Sequence, residues 1–472
     1  MENMTVRLES LDIHNFKNVK FGRLSFENPR KYFASSVLGL YGQNGSGKTA
    51  VIDSITLLKL AFSGQPIPSI LADYINVDSD AATMRYTLKV SNSKTNSEYH
   101  VIYEFSLRKE EDVSQHNADD INASSEHFKA TIFDEVLSYT CICENGKTKM
   151  LPVIDTKNTE IFGPATKLET LTNDNKAVLT DLLVAKKLTA ATSRSYCFSK
   201  ELLTIIRANC KEDYHLNIIE SLVHYGNFEL FVINTTNSGL ISLNALPLTF
   251  RYENNNKAAI GNIALPLNST ATVPENIYQV AERVLADMNV VLEKIIPGLT
   301  ISIKNLGNQI LKDGNIGIKI QLVSHKNSKE IPLQYESEGI KKIISILHLL
   351  IIIYNQSSIT VAIDELDSGV FEYLLGELLR IISEKGKGQL IFTSHNLRPL
   401  ETLDRGFIAF TTTNPSNRYI RLANVKSNHN LRDFYYRDIV LGEQSEEVYE
   451  PTNNYEIAFA FREAGESSGS QE

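Results

Sequence analysis

Cysteine is scarce: Cys141, Cys143, Cys197 and Cys210 are the four in 472 residues. At these spacings they are too few and too irregular for a disulfide framework or a four-ligand zinc site, which fits a reducing cytoplasm. Cys141 and Cys143 would share one face of a strand, as buried structural thiols. A basic excess is missing too. The net charge of −9 excludes a surface coated in positive charge, so any nucleic-acid contact would need a local patch. Long apolar runs are lacking: the most hydrophobic stretch, Ile343 to Tyr354, contains His348 and falls short of the ~20 residues of a spanning helix. It reads as a buried helix running into a strand or turn. Met1 to Arg7 is polar, without the apolar core of a signal peptide. No membrane association is expected. Nor is there low-complexity bias, and the length suggests two or three lobes at ~150 residues each.

What is present begins with Gly42-Gln43-Asn44-Gly45-Ser46-Gly47-Lys48-Thr49, a match to G-x-x-x-x-G-K-[ST]. It lies between an apolar run, Val37 to Tyr41, and a helical pattern, Ala50 to Leu60. Strand, loop and helix in that order make a polyphosphate site: backbone N–H groups converge at a helix N-terminus and glycines let the backbone come close. Lys48 would reach the β- and γ-phosphates, and the Thr49 hydroxyl could ligate Mg²⁺.

Upstream, Leu8 to Ile13 and Phe21 to Phe26 read as strands around Asn15-Phe16-Lys17-Asn18. Downstream, Met84 to Ser91 and Glu98 to Leu107 alternate as half-buried strands do, Lys109 to Ser125 reads as a long polar loop, and Phe128 to Glu144 resumes strand character. From Asn173 to Tyr225 the period becomes helical, which predicts an inserted helical segment. Within Lys186 to Lys211 six Lys/Arg face one acid, Glu201. That is either a solvated helix face or a surface for a partner or nucleic acid. Strand-like pieces return at Phe228 to Ile233 and Leu246 to Tyr252. A helix follows from Pro274 to Ile295, then strands at Thr300 to Lys304, Ile316 to Val323 and Ile331 to Leu333.

The second defining stretch, Ile359 to Glu365, is an apolar strand ending in two acids. Asp364 could hold a Mg²⁺ shell, and Glu365 could orient or deprotonate the attacking water, because phosphoryl transfer is mostly positioning and charge stabilisation. Leu366-Asp367-Ser368-Gly369, a helix from Val370 to Glu384 and a buried strand from Gln389 to Ser394 lead to His395. A polar residue at that strand tip would face a nucleotide on the same sheet, since ligands of open α/β sheets bind at the carboxyl edge.

Ahead of the acids, Tyr335-Glu336-Ser337-Glu338-Gly339-Ile340-Lys341-Lys342 opens the apolar helix. With it, the set of motifs resembles the ABC ATPases of chromosome-maintenance and recombination proteins, and within them the compact OLD-like and AAA15-type ATPases. The resemblance implies an α/β ABC-ATPase (P-loop) fold with a mixed β-sheet and a helical insertion, binding ATP with Mg²⁺. It implies ATP contacts from Asn44, Gly45, Ser46, Gly47, Lys48, Thr49 and Lys17, metal ligation by Thr49 and Asp364, and catalytic roles for Glu365, His395 and Lys48. It also implies a signature, Ser337, Glu338 and Gly339, presented to the ATP of a facing subunit, and an Asp-loop at Asp367. A homodimer or higher oligomer follows. No glutamine-bearing loop is assigned between Glu98 and Leu151, and Gln65 is a weak candidate. The segments expected are 1–172 and 227–425 as the two parts of the ATPase domain, 173–226 as the insertion and 426–472 as a tail.

After His395, Phe407 to Phe410 and Tyr419 to Ala423 read as strands, Leu431 to Leu441 as a mixed segment and Tyr455 to Ala464 as a helix, with Glu466 to Glu472 disordered. The tail from Glu443 carries eight acids against Arg462 alone, either a solvating tail or one that docks on a basic partner or neighbouring subunit. The stretch after His395 offers Asp433 and Asp438 but no Asp-x-Asp pair, so no nuclease centre is expected in it. An ATPase of this kind resembles the sensor subunits of antiphage systems such as PARIS and Septu. That resemblance implies a separately encoded TOPRIM or HNH effector nuclease and a phage protein or DNA as trigger. The alternative is a DNA-repair ATPase acting on DNA ends.

Overall fold

The structure, a computed structural model, describes residues 4–27, 36–111, 128–143, 146–234, 245–254, 257–266, 269–311, 314–327, 329–422, 430–442 and 444–469. The chain opens with β1 (Met4–Phe16), β2 (Val19–Ser25), β3 (Ser36–Tyr41) and α1 (Lys48–Phe62). Next come β4 (Ala81–Asn92), β5 (Ser97–Glu111), β6 (Phe128–Cys143), β7 (Gly146–Lys147) and β8 (Leu151–Asp155). Four helices follow: α2 (Ala165–Thr172), α3 (Leu179–Ala191), α4 (Lys200–Asn209) and α5 (Asp213–His224). Then β9 (Leu230–Ile233), β10 (Ala245–Asn254), β11 (Lys257–Pro266) and β12 (Ala271–Pro274) precede α6 (Glu275–Ile295). After β13 (Leu299–Ile310), β14 (Ile316–Lys326) and β15 (Lys329–Pro332) come α7 (Glu338–Asn355), β16 (Thr360–Ile363), α8 (Glu372–Lys385) and β17 (Gln389–Thr393). The last elements are α9 (Pro399–Thr402), β18 (Ile408–Thr411), β19 (Tyr419–Ile420), α10 (Leu431–Leu441) and α11 (Asn454–Gly469).

One sheet organises the rest, in the order β19-β18-β3-β17-β16-β9. Its five inner pairings include four parallel ones, and only β19 runs antiparallel. Every residue of β16 and β17 is buried, because helices cover one face and α1 with a second sheet covers the other. That is why these strands read as unbroken apolar runs. The second sheet, β2-β1-β4-β5-β6-β7 with β8 on β6, is antiparallel and alternates: β4 buries Ala82, Met84, Tyr86, Leu88 and Val90. A third, β12-β14-β13 with β15 on β14, carries α6.

α1 is buried almost all round, at Ala50, Val51, Ile52, Ile55, Leu57, Leu58, Ala61 and Phe62. A helix apolar on every side belongs between two layers, and this one lies between the two larger sheets. Its end meets an aromatic cluster in which Phe62 packs against Tyr103, Phe198 and Tyr225. The opposite face of the central sheet packs Ile343, Ile346, Leu350 and Ile353 of α7 and Leu375 and Leu379 of α8 against Val361, Ile363 and Phe392. The α/β fold is thus the expected one, a P-loop ATPase fold with a mixed sheet, with helices α2 to α5 inserted between β8 and β9.

Several local expectations change. Leu431 to Leu441, read as mixed, is a helix capped by Asn430, whose side chain accepts the Arg432 N–H. The last helix runs past Glu466 to Gly469, where disorder was expected. The long polar loop starts later, since β5 continues to Glu111, and residues 112–127 lie outside the described residues. Cys141, expected as a buried thiol, is instead half-buried near the end of β6 and disulfide-bonded. Among the described residues no helix is long and apolar enough to cross a membrane.

Candidate nucleotide site

The site forms at the carboxyl edge of the central sheet, where β3, β17, β16 and β9 end side by side. From β3 the chain turns through Gly42 to Gly47 and enters α1 with Gly47 as the N-cap, at φ 93°. A left-handed backbone favours glycine there. At Gly42 the requirement is space: a Cβ would lie 1.8 Å from the Thr411 hydroxyl oxygen. Ser46 bonds the Gln43 carbonyl and the Thr411 hydroxyl, and the Tyr419 hydroxyl donates to the Gly47 carbonyl at 2.8 Å. Strands β18 and β19 therefore hold the loop in shape. Asn44 and Gly45 stand exposed at its crest.

Lys48 is buried and donates to the carbonyls of Gly42 (2.8 Å) and Gln43 (2.9 Å). Burial lowers the pKa of its ammonium, opposed by the nearby charges of Asp364, Glu365 and Asp367. The lysine thus sits against its own loop with the acids of β16 within electrostatic reach.

Asp364 is fully buried. Its Oδ1 accepts the Thr393 hydroxyl at 2.6 Å and lies 3.5 Å from Thr49 Oγ1, while Oδ2 has no hydrogen-bond partner. A buried carboxylate oxygen without a donor is costly and calls for a ligand. With Thr49 beside it, the pair fits the hard-oxygen preference of Mg²⁺, which keeps few protein ligands and several waters. Glu365 is exposed, has a positive φ of 49°, and donates its N–H to Thr393 Oγ1 at 2.8 Å. Thr393, which the sequence reading passed over, thus ties both acids to the neighbouring strand.

Asp367 accepts the backbone N–H groups of His395 (3.1 Å) and Asn396 (3.0 Å). The Asp-loop and the end of β17 are therefore one unit, with the exposed His395 side chain at the sheet edge. Ser337 caps α7, its hydroxyl accepting the Ile340 N–H at 3.3 Å, and Ser337 and Glu338 are exposed. Gly339 lies so close to Gly369 that a Cβ would stand 2.2 Å from the Gly369 carbonyl oxygen. The start of α7 and the turn after β16 are thus in van der Waals contact within one chain. Lys17, also at positive φ, pairs with Asp53 one turn along α1 from Thr49 and lies 4.0 Å over the Tyr74 ring.

Gln65 is exposed beyond the end of α1, ~25 Å of helix from the phosphate loop. The carboxamide brought to the sheet edge is instead Asn234: β9 ends at Ile233, whose carbonyl accepts the Asp364 N–H at 2.8 Å. The described strands between Glu98 and Leu151, β5 to β7, belong to the antiparallel sheet.

Residues 10–202 match the AAA domain family. The AAA match takes in the phosphate loop and α1 and stops short of the acids on β16. No curated protein matches the chain. Among solved structures, the chain is similar to an Smc head bound to the C-winged helix domain of ScpA (12% identity, 88% of this chain and 98% of that one, TM-score 0.39). It is also similar to the SMC head domain from Thermotoga maritima (12%, 88% and 99%, TM-score 0.35) and to the recombination mediator RecF with ATP (16%, 83% and 94%, TM-score 0.34).

Proposed function

We propose that the chain is an ATP-hydrolysing ABC-type ATPase whose active site is completed by a second copy of itself. The observation that carries this reading is Asp364, a buried carboxylate with one oxygen unpartnered beside Thr49 at the mouth of the phosphate loop. Mg²⁺ held by Thr49 and Asp364 would neutralise charge on the phosphates. The Gly45 to Thr49 backbone and Lys48 bind the phosphates, Asn44 covers them from the loop crest, and Lys17 lies alongside at the start of α1. Glu365 orients the attacking water and takes its proton. His395 and Asn234 bracket the γ-phosphate from the flanking strand ends. Ser337, Glu338 and Gly339 at a helix N-terminus, the first two exposed, suit a phosphate arriving from outside the chain.

The test is Glu365→Gln. An amide cannot accept the proton while Asp364 still holds the metal, so the variant should bind ATP, turn over slowly and accumulate an ATP-dependent dimer in light scattering. Wild-type turnover would remove Glu365 from the mechanism.

We assign the ATPase the role of sensor and scaffold for a separately encoded effector nuclease in antiphage defence. The support is the motif resemblance. Co-purification with the product of a neighbouring gene tests it. One observation favours action on DNA ends instead: Lys187, Arg194, Lys200 and Lys211 of the insertion are exposed, whereas Arg207 is paired with Glu220. Salt-dependent duplex binding by the isolated protein would select that reading.

A further inference from the structure

Away from the nucleotide site, a cavity of about 220 Å³ opens between the start of β6, helix α3 and the turn before α4. Arg108, Lys186, Arg194 and Tyr196 line it, with Asp134 and Glu135 on the same wall. The donors and acceptors do not balance. Glu135 is consumed: its carboxylate accepts from Ser195, from the Tyr103 hydroxyl at 2.8 Å, and from the N–H groups of Tyr196 (2.6 Å) and Cys197 (3.4 Å). Burial also raises its pKa, toward the neutral form.

The donors are less fully used. Lys186 Nζ donates to the Thr159 carbonyl at 2.7 Å and the Thr156 carbonyl at 3.2 Å, which leaves one N–H. Arg108 meets Glu110 through Nε and Nη2 and keeps further N–H groups, its guanidinium lying over the Phe133 ring at 4.7 Å. Arg194 is exposed on the cavity rim and makes no ion pair with an acid among the described residues. Tyr196 is only 3% exposed, yet its hydroxyl has no hydrogen-bond partner. A buried hydroxyl in that state marks a missing water, ion or ligand. Among the described residues lining the cavity, four donors stand against one unspent acid, Asp134, a balance that specifies an anion with several acceptor oxygens.

We propose that this cavity binds a phosphate group, either free or at the end of a polynucleotide, through Arg108, Lys186, Arg194 and the Tyr196 hydroxyl. The site is independent of the phosphate loop and does not rest on the ATPase reading. It gives the basic stretch of the insertion a defined pocket in place of a diffuse charged surface.

The experiment uses the full chain in a Lys48→Ala background, so that the phosphate loop cannot supply the signal. The probes are inorganic phosphate, followed by calorimetry, and a short single strand with a 5′-phosphate or a 5′-hydroxyl, followed by fluorescence anisotropy. Arg194→Ala and Tyr196→Phe should each lower phosphate affinity about tenfold, the loss of a hydrogen bond to a charged group. Tyr196→Phe removes an unpartnered oxygen and keeps the ring, so folding should be unharmed. A gain from the 5′-phosphate that both variants abolish identifies a polynucleotide end; variant-sensitive binding of inorganic phosphate alone identifies the free ion. Lys200→Ala, an exposed cation outside the cavity, should leave binding unchanged. The proposal is overturned if neither probe binds, if both variants bind as the parent does, or if Lys200→Ala weakens binding equally.

Discussion

Replacing Thr393 by valine would test how Asp364 and Glu365 are held. Valine keeps the volume and the branching, so no cavity forms, and the change isolates the hydroxyl. That hydroxyl donates to Asp364 Oδ1 at 2.6 Å and accepts the Glu365 N–H at 2.8 Å. A hydrogen bond to a charged group is worth roughly 1.5–3 kcal/mol, and stranding a buried N–H or carboxylate oxygen costs about 1–3 kcal/mol. The two losses share one atom and do not add in full, so a destabilisation of about 3 kcal/mol is expected. It should appear in urea unfolding as a lower midpoint at unchanged m-value. Because Glu365 also loses the bond that fixes its strained backbone, kcat should fall at least about tenfold while ATP binding, which rests on the phosphate loop, changes little. Thr393→Ser should restore most of both. If the valine variant keeps wild-type kcat, or if serine rescues stability without rescuing turnover, Thr393 does not position the acids.

Lys48→Ala should abolish nucleotide binding by removing the side-chain cation of the phosphate loop; fluorescent-nucleotide titration checks this, and wild-type affinity would contradict the assignment. Gly42→Ala places a Cβ 1.8 Å from Thr411 Oγ1 and so should deform the loop, with loss of ATP binding greater than the loss of stability. Gly339→Ala drives a Cβ against the Gly369 carbonyl, an obstacle of backbone that cannot rotate away. ATP should still bind to the monomer, but ATP-dependent dimerisation and turnover should both be lost, and a variant that dimerises normally would show the contact to be dispensable.

The parts of the site that were legible in the sequence are those made by short contiguous runs. The phosphate loop, the Asp364-Glu365 strand end and the strand before His395 each combine a local composition with a local geometry, so pattern and structure coincide. Thr393 was illegible because its importance comes from register: parallel pairing of β16 with β17 sets Ile363 beside Phe392, which brings the next residues of both strands together. Asn234 was hidden for a related reason. The helices between β8 and β9 interrupt the chain, so the strand that borders the acid strand follows the insertion instead of preceding it. The contact of Gly339 with Gly369 joins the first turn of α7 to the turn after β16, at positions where the sequence shows only permissive glycines. The last helix was cut short because Glu466-Ser467-Ser468-Gly469 is poor in helix formers, yet the turn continues to Gly469.

The composite site is tested most directly by mixing two inactive chains. Lys48→Ala disables the phosphate loop and Ser337→Arg blocks the signature, so each homodimer carries two defective sites. A heterodimer would contain one site with both defects and one with neither, because each site takes its loop from one chain and its signature from the other. ATPase activity should therefore return on mixing in proportion to the heterodimer measured by native mass spectrometry. Heterodimers that form yet recover no activity, and that show no ATP-driven stabilisation over either parent, would contradict a site shared between two subunits.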